Sequence, residues 1–278
     1  MCSRIISLLL FGLFTMTANA QNMLESISAL EGYVQYTTGL KAYEDSLLYY
    51  RTEVGGNYTP AERKIILEKY DGAIKTYKNK LAGFITAHKH DAWSAIALLS
   101  AIYAQAENDL SVLLQYADTI RTYAPQTKYQ AALREIVNAR KTVAAKRAAD
   151  FALPDSNGKT VVLSGVKGKL IVLNFWASWC GPCRQKNVQL KQLYNAYQSK
   201  GLEIVAVSLD QNKHAWLNAV KQDQANWINL LAQHGFVSYA ALGYNVSGLP
   251  KTFLLDGNGN ILDSNLQMTE LVKRLQAL

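Results

Sequence analysis

The sequence predicts an α/β domain, a mixed sheet flanked by helices, preceded by an all-α region. Three observations carry that expectation. From Leu24 to about Arg147, apolar residues recur at helical spacings. After the run AAKRAAD, short β-rich segments begin: VVL from 161, LIVLNF from 170, EIVAVS from 203 and TFLL from 252. Helical patterns lie between those segments, the alternation that covers both faces of a sheet.

The chain has 278 residues and a net charge of +8, with basic residues spread along it and interleaved with acids. Nucleic-acid binding usually shows as clustered Lys and Arg, and no cluster is present. The first twenty residues differ from the rest. MCSR carries one positive charge, IISLLLFGLFTM is apolar, and ANA precedes Gln21. That is the pattern of a secretory signal peptide over 1–20, with a retained N-terminal anchor as the competing reading. Cleavage would remove Arg4 and lower the charge from +8 to +7. It would also remove Cys2 and leave two of the three cysteines. No later stretch is apolar for long enough to span a membrane. The expected compartment is the periplasm, an oxidising one.

Residues 21–147 read as a helical domain. Thr59-Pro60-Ala61-Glu62 is a helix start, with Thr59 as cap and Glu62 as its reciprocal partner. Ile66, Tyr70, Ile74, Tyr77, Leu81 and Ile85 form the apolar stripe of that helix. GGN at 55–57 breaks the preceding one. Asp91 and Asp109 are expected caps of two further helices. Leu110, Leu113, Leu114, Ala117 and Ile120 mark one of them, and Tyr129, Leu133, Ile136, Val137 and Arg140 the last. Short loops between five or six helices suggest an antiparallel bundle without a fixed-period repeat.

Residues 148–278 carry the strands. The strands flanking the first helix should be parallel through a crossover. Leu190, Leu193, Tyr194 and Tyr197 make that helix's stripe, and Gly201 ends it. DGNGN at 256–260 is a hairpin turn. TELVKRLQAL is a terminal helix capped by Thr269.

Chemistry concentrates in FWASWCGPC. Cys180 stands where the strand LIVLNFWA gives way to a helix, the edge at which open α/β sheets place ligands. Free N–H groups at a helix N-terminus favour thiolate over thiol, below the free value of about 8.5. Pro182 suits the first turn, and Gly181 leaves the approach to sulfur open. The spacing lets Cys183 close a disulfide with Cys180, so exchange is the expected reaction, with Cys180 the exposed nucleophile and Cys183 the buried resolver. A structural disulfide over so short a loop would stabilise little. A zinc site would need further ligands, and His88, His90, His214 and His234 stand at no matching spacing. No metal or cofactor is therefore expected.

FWASWCGPC resembles the active site of thioredoxin-fold proteins. The longer segments ADFALPDSNGKTVVLSGVKGKLIVLNFWASWCGPCR, KGLEIVAVSLD and GLPKTFLLDGNGNIL resemble the secreted thiol–disulfide oxidoreductases of the TlpA/ResA type, in the AhpC/TSA-like group. The resemblance covers about 149–278 and extends to Bacteroidetes-type members with an extra N-terminal domain. It implies a thioredoxin-like fold and a redox-active Cys180–Cys183 disulfide. It implies that Pro250 is cis and packed against that disulfide, with the Leu249 backbone free to pair with substrate. Trp179, Gly181 and Pro182 would complete the substrate surface, and Trp176 would fill the core. The partners implied are disulfide-containing protein substrates and an upstream membrane electron donor. The competing functions are a peroxiredoxin-like peroxide reductase and a non-enzymatic partner-binding protein. Related proteins place an acid under the cysteines. Here Asn174 stands at the position of the thioredoxin Asp, Lys186 at that of the TlpA/ResA Glu, and Val188 at that of a Pro. Lys186, three residues after Cys183, shares its inward face. Two courses are open to it: to run outward to solvent, or to hold a thiolate or pair with an acid of the helical domain.

Overall fold

The computed structural model describes residues 58–89, 92–123 and 127–277, together with Leu40, Ser46, Leu47 and Tyr49. The expected leader with its Gln21 boundary, the GGN break and the Asp91 cap lie outside the described residues. The chain divides into two compact units between Val137 and Asn138.

The first unit is helical. Helix α1 (Pro60–Ala87) starts with the expected reciprocal cap: Glu62 N–H donates to Thr59 Oγ1 at 3.3 Å, and Thr59 N–H to Glu62 Oε2 at 2.9 Å. Only the later part of its stripe is deeply buried, at Tyr77, Leu81 and Ile85. Helix α2 (Trp93–Tyr103) is apolar almost all round and buried along its length, so no stripe marks it in the sequence. Asp109 caps α3 (Leu110–Tyr123), accepting from Ser111 N–H at 2.9 Å. Helix α4 (Lys128–Ala144) crosses the division. Its last turns belong to the second unit, where Ala139 is in the core and buried Arg140 donates Nε–H to the Leu242 carbonyl at 2.9 Å.

The second unit carries a hairpin of β1 (Ala152–Pro154), which nothing in the sequence marked, and β2 (Thr160–Val162), where the β-rich run VVL was expected. A five-stranded sheet follows. Its strands are β3 (Leu170–Trp176), β4 (Leu202–Ser208), β5 (Ile228–Leu231), β6 (Lys251–Asp256) and β7 (Ile261–Asp263), in the order β5-β4-β3-β6-β7. β3 and β4 are parallel, as expected, and β5 continues parallel beside β4. β6 and β7 run antiparallel, joined by the DGNGN turn. Helix α5 (Gly181–Tyr197) links β3 to β4, and α6 (Lys213–Asp223) links β4 to β5. The short α7 (Tyr239–Gly243) precedes β6, and α8 (Met268–Leu275) closes the unit. The cap of α8 is Gln267, and no side-chain bond caps it. Thr269 is therefore inside the helix rather than at its start, because the chain turns helical as soon as Leu266 is anchored by its N–H to the Thr252 carbonyl.

β3 is buried on both faces. Its even residues Leu170, Val172 and Trp176 pack with Leu190 and Tyr194 of α5, while Ile171, Leu173 and Phe175 face the opposite core. That alternation follows from the period of a strand. Each fully buried Leu or Phe contributes roughly 1.5–3 kcal/mol of transfer free energy.

After α5 the chain reverses at Gly201, whose φ is +109°. A Cβ there would meet Lys169 Cγ at 2.8 Å. Gly201→Ala should therefore lower stability by about 1–2 kcal/mol through backbone strain. Urea unfolding should show a lower midpoint at unchanged slope.

Candidate active site

The carboxyl end of β3 delivers residues 177–180 to the N-terminus of α5. Cys180 is the N-cap residue, and its Sγ accepts from Cys183 N–H at 3.3 Å. Cys180 and Cys183 form a disulfide with Cα atoms 5.2 Å apart. Pro182 occupies the first turn, where its missing N–H is not needed. Cys183 is 0% exposed and Cys180 6%. Cys180 was expected to be exposed, but in the disulfide both cysteines are buried, because the pair packs into the cluster of Trp176, Ala177 and Leu254. Trp176 is core. Trp179 is 63% exposed beside the cysteines.

The approach loop is held from below by Asp210, a residue the sequence reading did not single out. Its buried carboxylate accepts from Ser178 N–H at 2.8 Å and Ser178 Oγ at 2.6 Å. Ser208 Oγ donates to the same carboxylate at 2.6 Å. A signal existed: an acid directly after the apolar run EIVAVSL sits at a strand's carboxyl end, beside the cysteine loop. A second anchor lies one turn into α5. Arg184 Nε donates to both oxygens of Asp223, at 2.8 and 2.7 Å, and Asn187 Nδ2 donates to Asp223 Oδ2 at 2.8 Å.

The Leu249–Pro250 bond is cis. Half-buried Leu249 packs against the cluster that contains both cysteines. Its backbone N–H and C=O carry no backbone hydrogen bond among the described residues.

Asn174 and Lys186 are joined. Asn174 lies opposite Thr252 in the β3–β6 register, on the face toward α5. Thr252 Oγ1 donates to Asn174 Oδ1 at 2.9 Å and accepts from Lys186 Nζ at 2.7 Å. Lys186 Nζ also donates to the Leu266 carbonyl at 3.3 Å. Asn174 is fully buried, and its Nδ2 has no partner. Two of the expectations for Lys186, the outward course and the pairing with an acid, need correction; with the cysteines joined as a disulfide no thiolate is present for it to hold. It does not run outward, and among the described residues it pairs with no acid. Its place on the inward face of α5 brings a hydroxyl and a carbonyl within reach instead. Burial lowers the Lys186 pKa from its ordinary value.

Residues 144–264 match the profile of the AhpC/TSA family. The thiol–disulfide oxidoreductase ResA of Bacillus thuringiensis is 32% identical over 136 residues, which span 47% of this chain and 77% of that protein. The chain belongs to the AhpC/TSA family, with the ResA-type thiol–disulfide oxidoreductases. ResA of Bacillus subtilis is 39% identical over 115 residues, 41% of this chain and 63% of that protein, so this match spans less than two thirds of its length. A thiol-disulfide oxidoreductase from Bacteroides fragilis shares 33% identity over 48% of this chain and 98% of its own, with a TM-score of 0.45. All three matches cover less than half of this chain.

For this member of the family two outcomes follow. Asp210→Ala should lower stability by about 1–3 kcal/mol, because Ser178 N–H and the Ser208 hydroxyl lose their acceptor. Thermal unfolding checks this, and Ser178→Ala should cost less, since its N–H bond survives. The lowered pKa of Lys186 sets the sign of a pH effect. The unfolded chain binds that proton more tightly, so stability rises as pH climbs from the folded value toward the unfolded value of about 10.4. Wild type should gain stability relative to Lys186→Met over that window, measured by urea midpoints at successive pH values.

Proposed function

We propose that the protein is an extracytoplasmic thiol–disulfide oxidoreductase that reduces protein disulfides. The observation that carries this reading is the Cys180–Cys183 disulfide at the N-terminus of α5, with Cys180 as the cap. The helix end stabilises a Cys180 thiolate through its free N–H groups and partial charge. In the reduced form, that thiolate attacks one sulfur of a substrate disulfide. A Cys180–substrate disulfide forms, and the other substrate sulfur leaves as thiolate and takes up a proton. Cys183, deprotonated, then attacks Cys180 Sγ. The intramolecular disulfide closes and the second substrate thiol is released. Two electrons pass to the substrate, and an upstream thiol donor at the membrane restores the dithiol.

Trp179, Gly181, Pro182, Leu249 and Pro250 form the substrate surface in this reading. The open N–H and C=O of Leu249 suit pairing with an extended segment, a short β-augmentation. The leader over 1–20 supports export to the periplasm. The helical domain over 21–147 and the thioredoxin-like domain over 148–278 are then both exported.

Reduction of insulin disulfides by the dithiol-reduced protein tests the proposal. Cys180→Ser should abolish turnover. Cys183→Ser should accumulate a covalent adduct with substrate that dithiothreitol releases. Wild-type turnover in Cys180→Ser would overturn the reading.

A further inference from the structure

Beside the disulfide lies a cavity of about 310 Å³, lined by Pro182, Lys186, Pro250 and Thr252 and walled by polar side chains including Gln185 and Gln189. Its volume is at the small end for ligand sites, enough for one side chain rather than a cofactor. Pro182 and Pro250 put it at the edge of the surface where a substrate disulfide would meet Cys180.

The chemistry of the lining is one-sided. Lys186 is the one charged residue among those that line the cavity, and no carboxylate lines it. An ammonium has three donors. Two of them go to Thr252 Oγ1 and the Leu266 carbonyl, both neutral acceptors, so among the described residues no acid compensates the charge. Neutral Gln185 and Gln189 amides at the wall add donors without adding charge. A cationic guest would meet like charge here. A neutral guest would leave a partly desolvated ammonium as it is. A carboxylate guest would offset that penalty and take the remaining donor.

We infer that this cavity is a specificity subsite that takes the carboxylate of an Asp or Glu side chain flanking the target disulfide, with Lys186 as its recognising group. The inference rests on the thiol-exchange function proposed above and names the substrate class of that site: acidic segments around a disulfide. Lys186 acts here in binding, not in moving electrons or protons.

The experiment uses the reduced full-length protein and short symmetric disulfide peptides, acetylated and amidated at their ends. The residue beside the cysteine is Glu, Gln or Lys. Wild type should show a kcat/KM about three- to tenfold higher for the Glu peptide than for the Lys peptide at low salt. That preference should shrink as salt screens it. Lys186→Arg should keep it, Lys186→Gln should remove it, and Lys186→Glu should invert it. Each preference is a ratio within one protein, so a general loss of activity or of folded protein cancels. Equal rates on all three peptides in wild type, or the same preference in Lys186→Gln, would overturn the subsite while leaving the exchange function standing. Failure to reduce any peptide would overturn both.

Discussion

The central strand β3 is the constraint on which the rest of the second unit depends. It is covered on both faces, so its side chains must alternate between two cores, and no residue of it can slip without turning every neighbour to the wrong side. Its direction carries the chain to the carboxyl edge of the sheet, where the cysteine loop begins. Its alternation sends Asn174 to the same side as α5, under the helix that bears the cysteines. Parallel pairing with β4 then brings Asp210 up beside Ser178, since both strands end at the same edge. The site is thus a consequence of register before it is a matter of reactive residues.

The network under the helix illustrates how a substitution of charge is accommodated. A lysine on an inward face would ordinarily be costly, because burial penalises its charged form. Here it lies half in and half out, giving two of its donors to Thr252 and Leu266 while its tip remains at the cavity wall. Thr252 passes the polarity on by donating to Asn174. The line of donors is ordered in one direction, from ammonium to hydroxyl to amide oxygen. It ends in an amide whose Nδ2 has no acceptor, a cost that persists beneath the disulfide.

Much of this was legible in the chain and some was not. Helical periodicity marked α1 and α5, and continuous apolar runs marked the strands β3, β4 and β6, which are buried on both faces. The cap at Thr59 and the turn at 256–260 were readable because their bonds are local in sequence. Helix α2 was marked only by a start signal at Asp91 and not by a stripe, since a helix buried all round has none. β5, with INLL among mixed neighbours, and the short β1 are defined by partners rather than by their own residues. In the site, the cysteines stood out by their spacing, and the Gly-Leu-Pro turn only through the family resemblance. The roles of Asp210, Asp223 and Lys186 did not, because each depends on groups that lie 32 to 80 positions away in the chain.

Arg184, Asn187 and Asp223 tie α5 to α6 one turn beyond the cysteines, through a carboxylate that is only 8% exposed. The disulfide itself closes a loop of few residues and so constrains the unfolded chain little. The helix therefore has an anchor that does not consist of sulfur. The bonds to Asp223 do not involve the sulfurs, so the hold on the helix is independent of the covalent bond at its tip. The architecture separates the reactive sulfurs from the part that bears the mechanical load, as a latch is separate from a hinge pin.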